Sequence, residues 1–156
     1  MAEHAELNED FRDMLACLGD AGVEFVIVGA HALAAHGLPR ATGDIDVLVR
    51  PSAENAERVM QALAAFGAPT EAHGIQAADF EKAGQVYQLG TAPRRIDLLT
   101  AIDGVTFDDA FRTRIEAPVS GLVLPFLGRD MLIANKRAAG RPKDLVDLEA
   151  LLRLGA

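Results

Sequence analysis

The chain has 156 residues, half of them hydrophobic, which is the length of one ordinary domain with enough apolar material for a real core. Fifteen Lys and Arg against 23 Asp and Glu leave a net charge of −8, which argues against broad, non-specific adhesion to nucleic acid. A single cysteine, Cys17, excludes an intrachain disulfide, and the apolar runs fall well short of the ~20 residues needed to span a bilayer.

The N-terminus carries Glu3, Glu6, Glu9 and Asp10 where a secretory leader would carry basic residues, so a soluble, cytoplasmic protein is expected. Phe11, Met14, Leu15 and Leu18 recur at i, i+3, i+4 and i+7, which predicts a helix over 8–20 stopped at Gly22. Cys17 falls beside that stripe and is expected to be packed and inert. Val23 to Val28 is short, apolar and β-branched between Gly22 and Gly29, the pattern of a buried strand. Alanine-rich His31 to His36 predicts one or two helical turns, ended by Gly37-Leu38-Pro39. His31 and His36, at i and i+5, do not share a helix face and are read as wall or surface residues.

Ile45 to Val49 predicts a second strand, closed by Pro51. Ser52 is a candidate N-cap for a helix whose stripe is Ala56, Val59, Met60, Leu63 and Ala64, and which ends at Gly67. The pattern weakens over 68–84, where only a short helix near Ala77 to Lys82 is indicated. Gln85 to Leu89 and Arg94 to Leu99 predict an antiparallel hairpin through Gly90-Thr91-Ala92-Pro93. Thr106 with Asp109 predicts a capped short helix to Phe111, and Val119 to Leu124 a further strand. Asp103, Asp108 and Asp109 sit among turn and cap signals and are read as structural. Two helices, Asp130 to Ala139 and Pro142 to Leu154, divide at Gly140; Leu145, Leu148, Leu151 and Leu152 are expected to face inward in the second. One domain spans 1–156, a mixed α+β fold with a small sheet flanked by helices and a helical C-terminus.

Within this frame, Asp44-Ile45-Asp46 carries chemistry. Side chains alternate along a strand at about 3.3 Å per residue, so the two carboxylates point the same way from Cα atoms roughly 6.6 Å apart. They repel unless protonated or neutralised, and hard divalent cations are the usual partners of such oxygens. A third acid, Asp97, interrupts an otherwise apolar strand, a costly position unless the charge is used. If its hairpin lies beside Asp44 and Asp46, three carboxylates surround a two-metal site able to position a triphosphate and activate a hydroxyl. Between Arg129 and Lys143 lie five cations against one acid, a locally positive segment in an acidic chain.

The strand ending in Gly29-Ala30, then Asp44-Ile45-Asp46, then Asp97, resembles the nucleotidyltransferase superfamily related to DNA polymerase beta, over most of the chain. Lys136-Arg137-Ala138-Ala139-Gly140-Arg141-Pro142-Lys143-Asp144-Leu145-Val146-Asp147 is similar to a stretch of minimal bacterial members, toxin-like ones among them. The resemblance implies Asp44, Asp46 and Asp97 as catalytic and metal-binding residues, Mg²⁺ as cofactor with Mn²⁺ as the alternative, and Gly29 and Ala30 as the turn that receives triphosphate. It implies Lys136 as a phosphate or nucleotide contact and Asp144 as a brace of the helix junction. Arg40 and Thr42, just before the acids, are candidates for a phosphate contact and a local hydrogen bond. The family turn carries Gly or Ser where this chain has Ala30; a hydroxyl is lost, but backbone N–H groups at a helix start still accept phosphate oxygens. The implied activity is transfer of a nucleoside monophosphate from a nucleoside triphosphate to a hydroxyl on a small molecule, a protein or RNA.

Other readings of the same residues are duller. A lone Asp-x-Asp lines many exposed strands, and Asp97 has an alternative partner in Arg94 or Arg95. At the level of function, the rivals are a non-catalytic interaction protein, such as one component of a toxin–antitoxin pair, and a nucleotide-binding sensor.

Overall fold

The computed structural model describes residues 7–40, 43–91 and 94–155. Helix α1 (Glu9–Asp20) starts where the Asn8 side chain accepts from the Phe11 N–H, and it buries Phe11, Met14, Leu15 and Leu18 as the periodicity requires. Strand β1 (Phe25–Val28) runs directly into helix α2 (Gly29–Ala35). Strand β2 (Asp44–Val49) begins one residue earlier than its apolar run, on the first acid. Helix α3 (Ala53–Phe66) is capped by the Ser52 hydroxyl and closed by Gly67 in the left-handed region. A single 3-10 turn, Ala77–Phe80, follows and buries Phe80. Strands β3 (Val86–Leu89) and β4 (Arg95–Leu99) form the expected antiparallel hairpin. Helix α4 (Phe107–Arg112) is capped by Thr106.

Val119 to Leu124 is not one strand. Strand β5 (Ile115–Val119) ends and strand β6 (Leu122–Phe126) begins inside that run, joined by Ser120-Gly121 at φ 51° and 80°. Two consecutive left-handed residues make the tight turn whose twist matches paired strands. Pro118 sits in β5, which lies at the sheet edge, where a missing N–H is tolerated. Helices α5 (Arg129–Ala139) and α6 (Pro142–Leu154) complete the chain, divided at Gly140.

The six strands form one mixed sheet in the order β3-β4-β2-β1-β6-β5. β1 is antiparallel to β2 and parallel to β6, while β2 is parallel to β4. Alternate residues feed two cores. Phe25, Ile27, Ile45, Val47, Val49, Ile96 and Leu98 pack with α1 and α3 on one face. Val26, Val28 and Leu48 pack on the other with Leu33 of α2, Phe107 of α4, Leu132 of α5 and Leu151 of α6. Among the described residues no helix is long and apolar enough to cross a membrane.

The inward stripe of α6 differs from expectation. Leu151 is buried, but Leu145 and Leu152 are 49% and 46% exposed, and the acids Asp144 and Asp147 are buried in their place. Asp144, Asp147, Leu148 and Leu151 are themselves an i, i+3, i+4, i+7 set, about 100° round the helix from the leucines at 145 and 152. Pairing with Lys136 makes the acidic half of that stripe stable inside. Cys17 is half-buried against the α1 core, where burial, helped by Asp20 and Asp13, pushes its thiol up and away from the reactive thiolate.

Candidate active site

Strand register assembles the acids. Asp46 pairs with Val28 of β1 on one side and with Asp97 of β4 on the other, while Asp44 pairs with Arg95. All four polar residues therefore project from the sheet face that α2, α5 and α6 cover, since they alternate with Ile45, Val47 and Ile96 of the opposite core. The condition set by the sequence, that the hairpin lie beside the Asp-x-Asp strand, is met.

The carboxylates meet closely enough to disturb each other. Burial pushes the Asp46 carboxyl up to about 6, and the charge of Asp97, a hydrogen bond to Asp97 and the charge of Asp44 push in the same direction. Arg95 opposes this. Its Nη2 lies 2.9 Å from Asp44 Oδ2 and its Nε 2.8 Å from Asp97 Oδ1, so the arginine partner weighed for Asp97 in the sequence is present. Among the described residues, no group of three or more His, Cys, Asp or Glu side chains is gathered closely enough to hold a metal ion. The donor set nevertheless fits a hard divalent cation, because it consists of carboxylate oxygens, and a bound cation would relieve the burial and mutual repulsion that raise the Asp46 carboxyl.

Gly29 makes this approach of strand and helix feasible. Its φ is +67°, and a Cβ placed there would sit 2.4 Å from Asp46 Oδ2. Only glycine satisfies both demands. Gly29→Ala should therefore destabilise the protein by about 2–3 kcal/mol and displace the Asp46 carboxylate. Thermal denaturation checks this: an unchanged Tm would show that the carboxylate has room to give way.

A cleft of about 490 Å³ opens over these residues, within the size range of small-ligand sites. Its lining includes Val28, Gly29 and Ala30, the strand acids Asp44 and Asp46, the cations Arg40, Lys136, Arg141 and Lys143, and Asp147, Asn135 and Asp103. Asp103 thus borders the cleft, and its carbonyl accepts from the Asn135 side chain. Lys136 is buried on α5, its Nζ 3.3 Å from both Asp144 Oδ1 and Asp147 Oδ2. Asp144 braces the helix junction as the sequence implied. It accepts from the Arg141 N–H at 3.2 Å and from Arg141 Nε at 2.6 Å, and the Arg141 hydrogen bond, with Lys136 behind it, holds its carboxyl down to about 2. Arg40 pairs with Asp147 and reaches the cleft wall from the loop after α2. Thr42 lies outside the described residues.

The histidines are wall residues. His31 stacks edge-on against Phe11, burial lowers its pKa against an opposing contribution from the Asp44 backbone, and its Nε2 is buried with no hydrogen-bond partner among the described residues. His36 Nε2 lies 2.8 Å from the Leu127 carbonyl and ties α2 to the end of β6. Asp108 pairs with Arg50, and Asp109 with Arg112, both away from the acids. Beyond the Arg95–Asp97 pair, two contacts were not expected from the sequence: Arg95 with Asp44, and Asp147 with Lys136, the latter signalled by the i, i+3 spacing of Asp147 from Asp144.

The sequence profile of the family described as "Nucleotidyl transferase AbiEii toxin, Type IV TA system" matches residues 13–156. Among solved structures, TM1012 from Thermotoga maritima, assigned as a nucleotidyltransferase, superposes with a TM-score of 0.58 at 14% identity, covering 96% of this chain and 95% of that one. The lincosamide antibiotic adenylyltransferase LnuA, bound to lincomycin, gives 0.56 at 11% identity over 97% and 99% of the two chains. The antibiotic-resistance factor ANT(2'')-Ia gives 0.55 at 15% identity over 94% of this chain and 83% of that one. At such identities the structural likeness shows a shared fold. No curated protein matches the chain.

Proposed function

Because the chain belongs to the AbiEii nucleotidyl transferase family, we propose that its cleft moves a nucleoside monophosphate from a nucleoside triphosphate to a hydroxyl-bearing acceptor and releases pyrophosphate. The observation that carries this is that one cleft gathers the strand acids Asp44 and Asp46, the cations Arg40, Lys136, Arg141 and Lys143, and Gly29 at a helix start. A metal-bound triphosphate has the matching pattern of charge.

Asp44, Asp46 and Asp97 would hold Mg²⁺, or Mn²⁺ in its stead. When bound, the ion supplies charge to the α-phosphate and lowers the cost of ionising the acceptor hydroxyl. The chain's own groups do the rest. Backbone N–H groups of Gly29 and Ala30 at the start of α2 receive β- and γ-phosphate oxygens, and Ala30 leaves those donors in place. Asp97, buried in the middle of β4, accepts the proton of the acceptor hydroxyl. The acceptor oxygen then bonds to the α-phosphorus as the bond to the bridging oxygen breaks, and pyrophosphate leaves toward Lys136, Arg141, Lys143 and Arg40.

Incubation with triphosphate labelled at the α or the γ phosphate, with Mg²⁺ and acceptors of the small-molecule, protein and RNA classes, tests this. Label should reach one acceptor class from the α position and not the γ. Transfer from the γ position would make the protein a kinase instead. Triphosphate bound but returned intact with every class would favour a sensor. The interaction-protein reading draws on Leu145, Val146, Leu152 and Leu154, exposed on α6 in a toxin family, and gains if no triphosphate binds at all.

A further inference from the structure

Arg95 stands between two of the three acids. Besides its contacts to Asp44 Oδ2 and Asp97 Oδ1, its Nη2 donates to Asp97 Oδ2 at 3.1 Å, so one guanidinium fork spans carboxylates on two neighbouring strands. The register enforces this, because Arg95 is the pairing partner of Asp44 and lies two residues before Asp97 on the same face. The fork geometry suits arginine and not lysine. Arg95 is also one-third exposed at the rim, so its head has solvent to turn into.

We propose that Arg95 is a built-in counter-ion that competes with a divalent cation for Asp44 and Asp97, holding the acids together until an ion displaces it. This rests on the metal-dependent function proposed above. Charge supports the exchange: three ionised carboxylates carry −3, which the guanidinium reduces to −2 and a divalent ion in its place to −1. Arg95 is a positioning residue in this scheme, acting through the acids rather than on the nucleotide.

Calorimetric titration of MnCl₂, without nucleotide, into wild type, Arg95→Ala, Arg95→Lys and Asp44→Asn separates the outcomes. Removing the competitor should tighten Mn²⁺ binding about tenfold in Arg95→Ala. Arg95→Lys, a point charge without a fork, should fall between it and wild type, and it carries the test if the alanine variant does not fold. Mn²⁺ should also raise the Tm of the Arg95 variants more than that of wild type. Binding that Asp44→Asn abolishes, but that the Arg95 variants leave unchanged or weaken, overturns the counter-ion and leaves the metal site standing. Binding by none of the four proteins overturns both.

Discussion

Asp46→Asn should lower nucleotidyl transfer by at least about 10³-fold while making the ion-free protein more stable at neutral pH. The two effects have one cause. Asp46 is largely buried and lies against Asp97, so its carboxyl is raised to about 6. A carboxyl raised above its unfolded value of 3.8 favours the folded state fully below pH 3.8, and that contribution is lost as pH rises through about 6. At pH 8 the ionised group is therefore a liability unless a cation answers it. Allowing for solvent screening of a group that is not fully buried, relief is worth about 1–2 kcal/mol, or a Tm about 3–6 °C higher for Asp46→Asn. The gain should shrink toward zero between pH 6 and pH 4, and Mg²⁺ should stabilise wild type but not the variant. Differential scanning calorimetry from pH 4 to 8 decides this; a variant less stable than wild type at pH 8 would mean that the carboxylates do not repel in the folded protein.

Asp144→Ala should be the most damaging substitution for the fold outside the apolar cores. Asp144 is fully buried, joins Lys136 and Arg141, and accepts from the Arg141 N–H at the start of α6. Its loss leaves buried Lys136 with Asp147 as its one remaining acidic partner among the described residues and removes the cap. Breaking such a buried pair costs about 3–4 kcal/mol, which lowers the Tm by about 8–12 °C. Asp144→Asn keeps the size and one acceptor, and should lose about half as much. Because hydrogen bonding to Arg141 holds the carboxyl down to about 2, this stabilisation is present above about pH 4 and is lost only as pH falls toward 2. A Tm within 2 °C of wild type, measured by thermal circular dichroism at pH 7, would show that the junction does not depend on this side chain.

The parts of the fold written in local pattern were legible. The stripes of α1 and α3, the Ser52 cap and the Gly67 stop are interactions within a few residues of each other, so sequence alone displays them. The β5–β6 hairpin was not legible, because Pro118 and Pro125 break the usual strand signal and only pairing with the sheet restores it. The α6 stripe was misread for a related reason. Hydrophobic periodicity counts leucines, whereas Asp144 and Asp147 become interior residues only when Lys136 of another helix reaches them. The shared strand face of Asp44 and Asp46 was readable from spacing, and the pairing of Asp46 with Asp97 places the third acid beside them. Arg95 was readable as a partner of Asp97, but its link to Asp44 exists only across paired strands, and the two buried acids that hold Lys136 in place both come from another helix.

Calorimetric titration of each nucleoside triphosphate, with and without Mg²⁺, into wild type and the Asp44→Asn, Asp46→Asn double variant tests the central claim most directly. The expected result is binding of at least one triphosphate by wild type that requires Mg²⁺ and disappears in a folded double variant. Binding that persists in the variant, or that ignores Mg²⁺, would contradict the assignment of these carboxylates as the metal site.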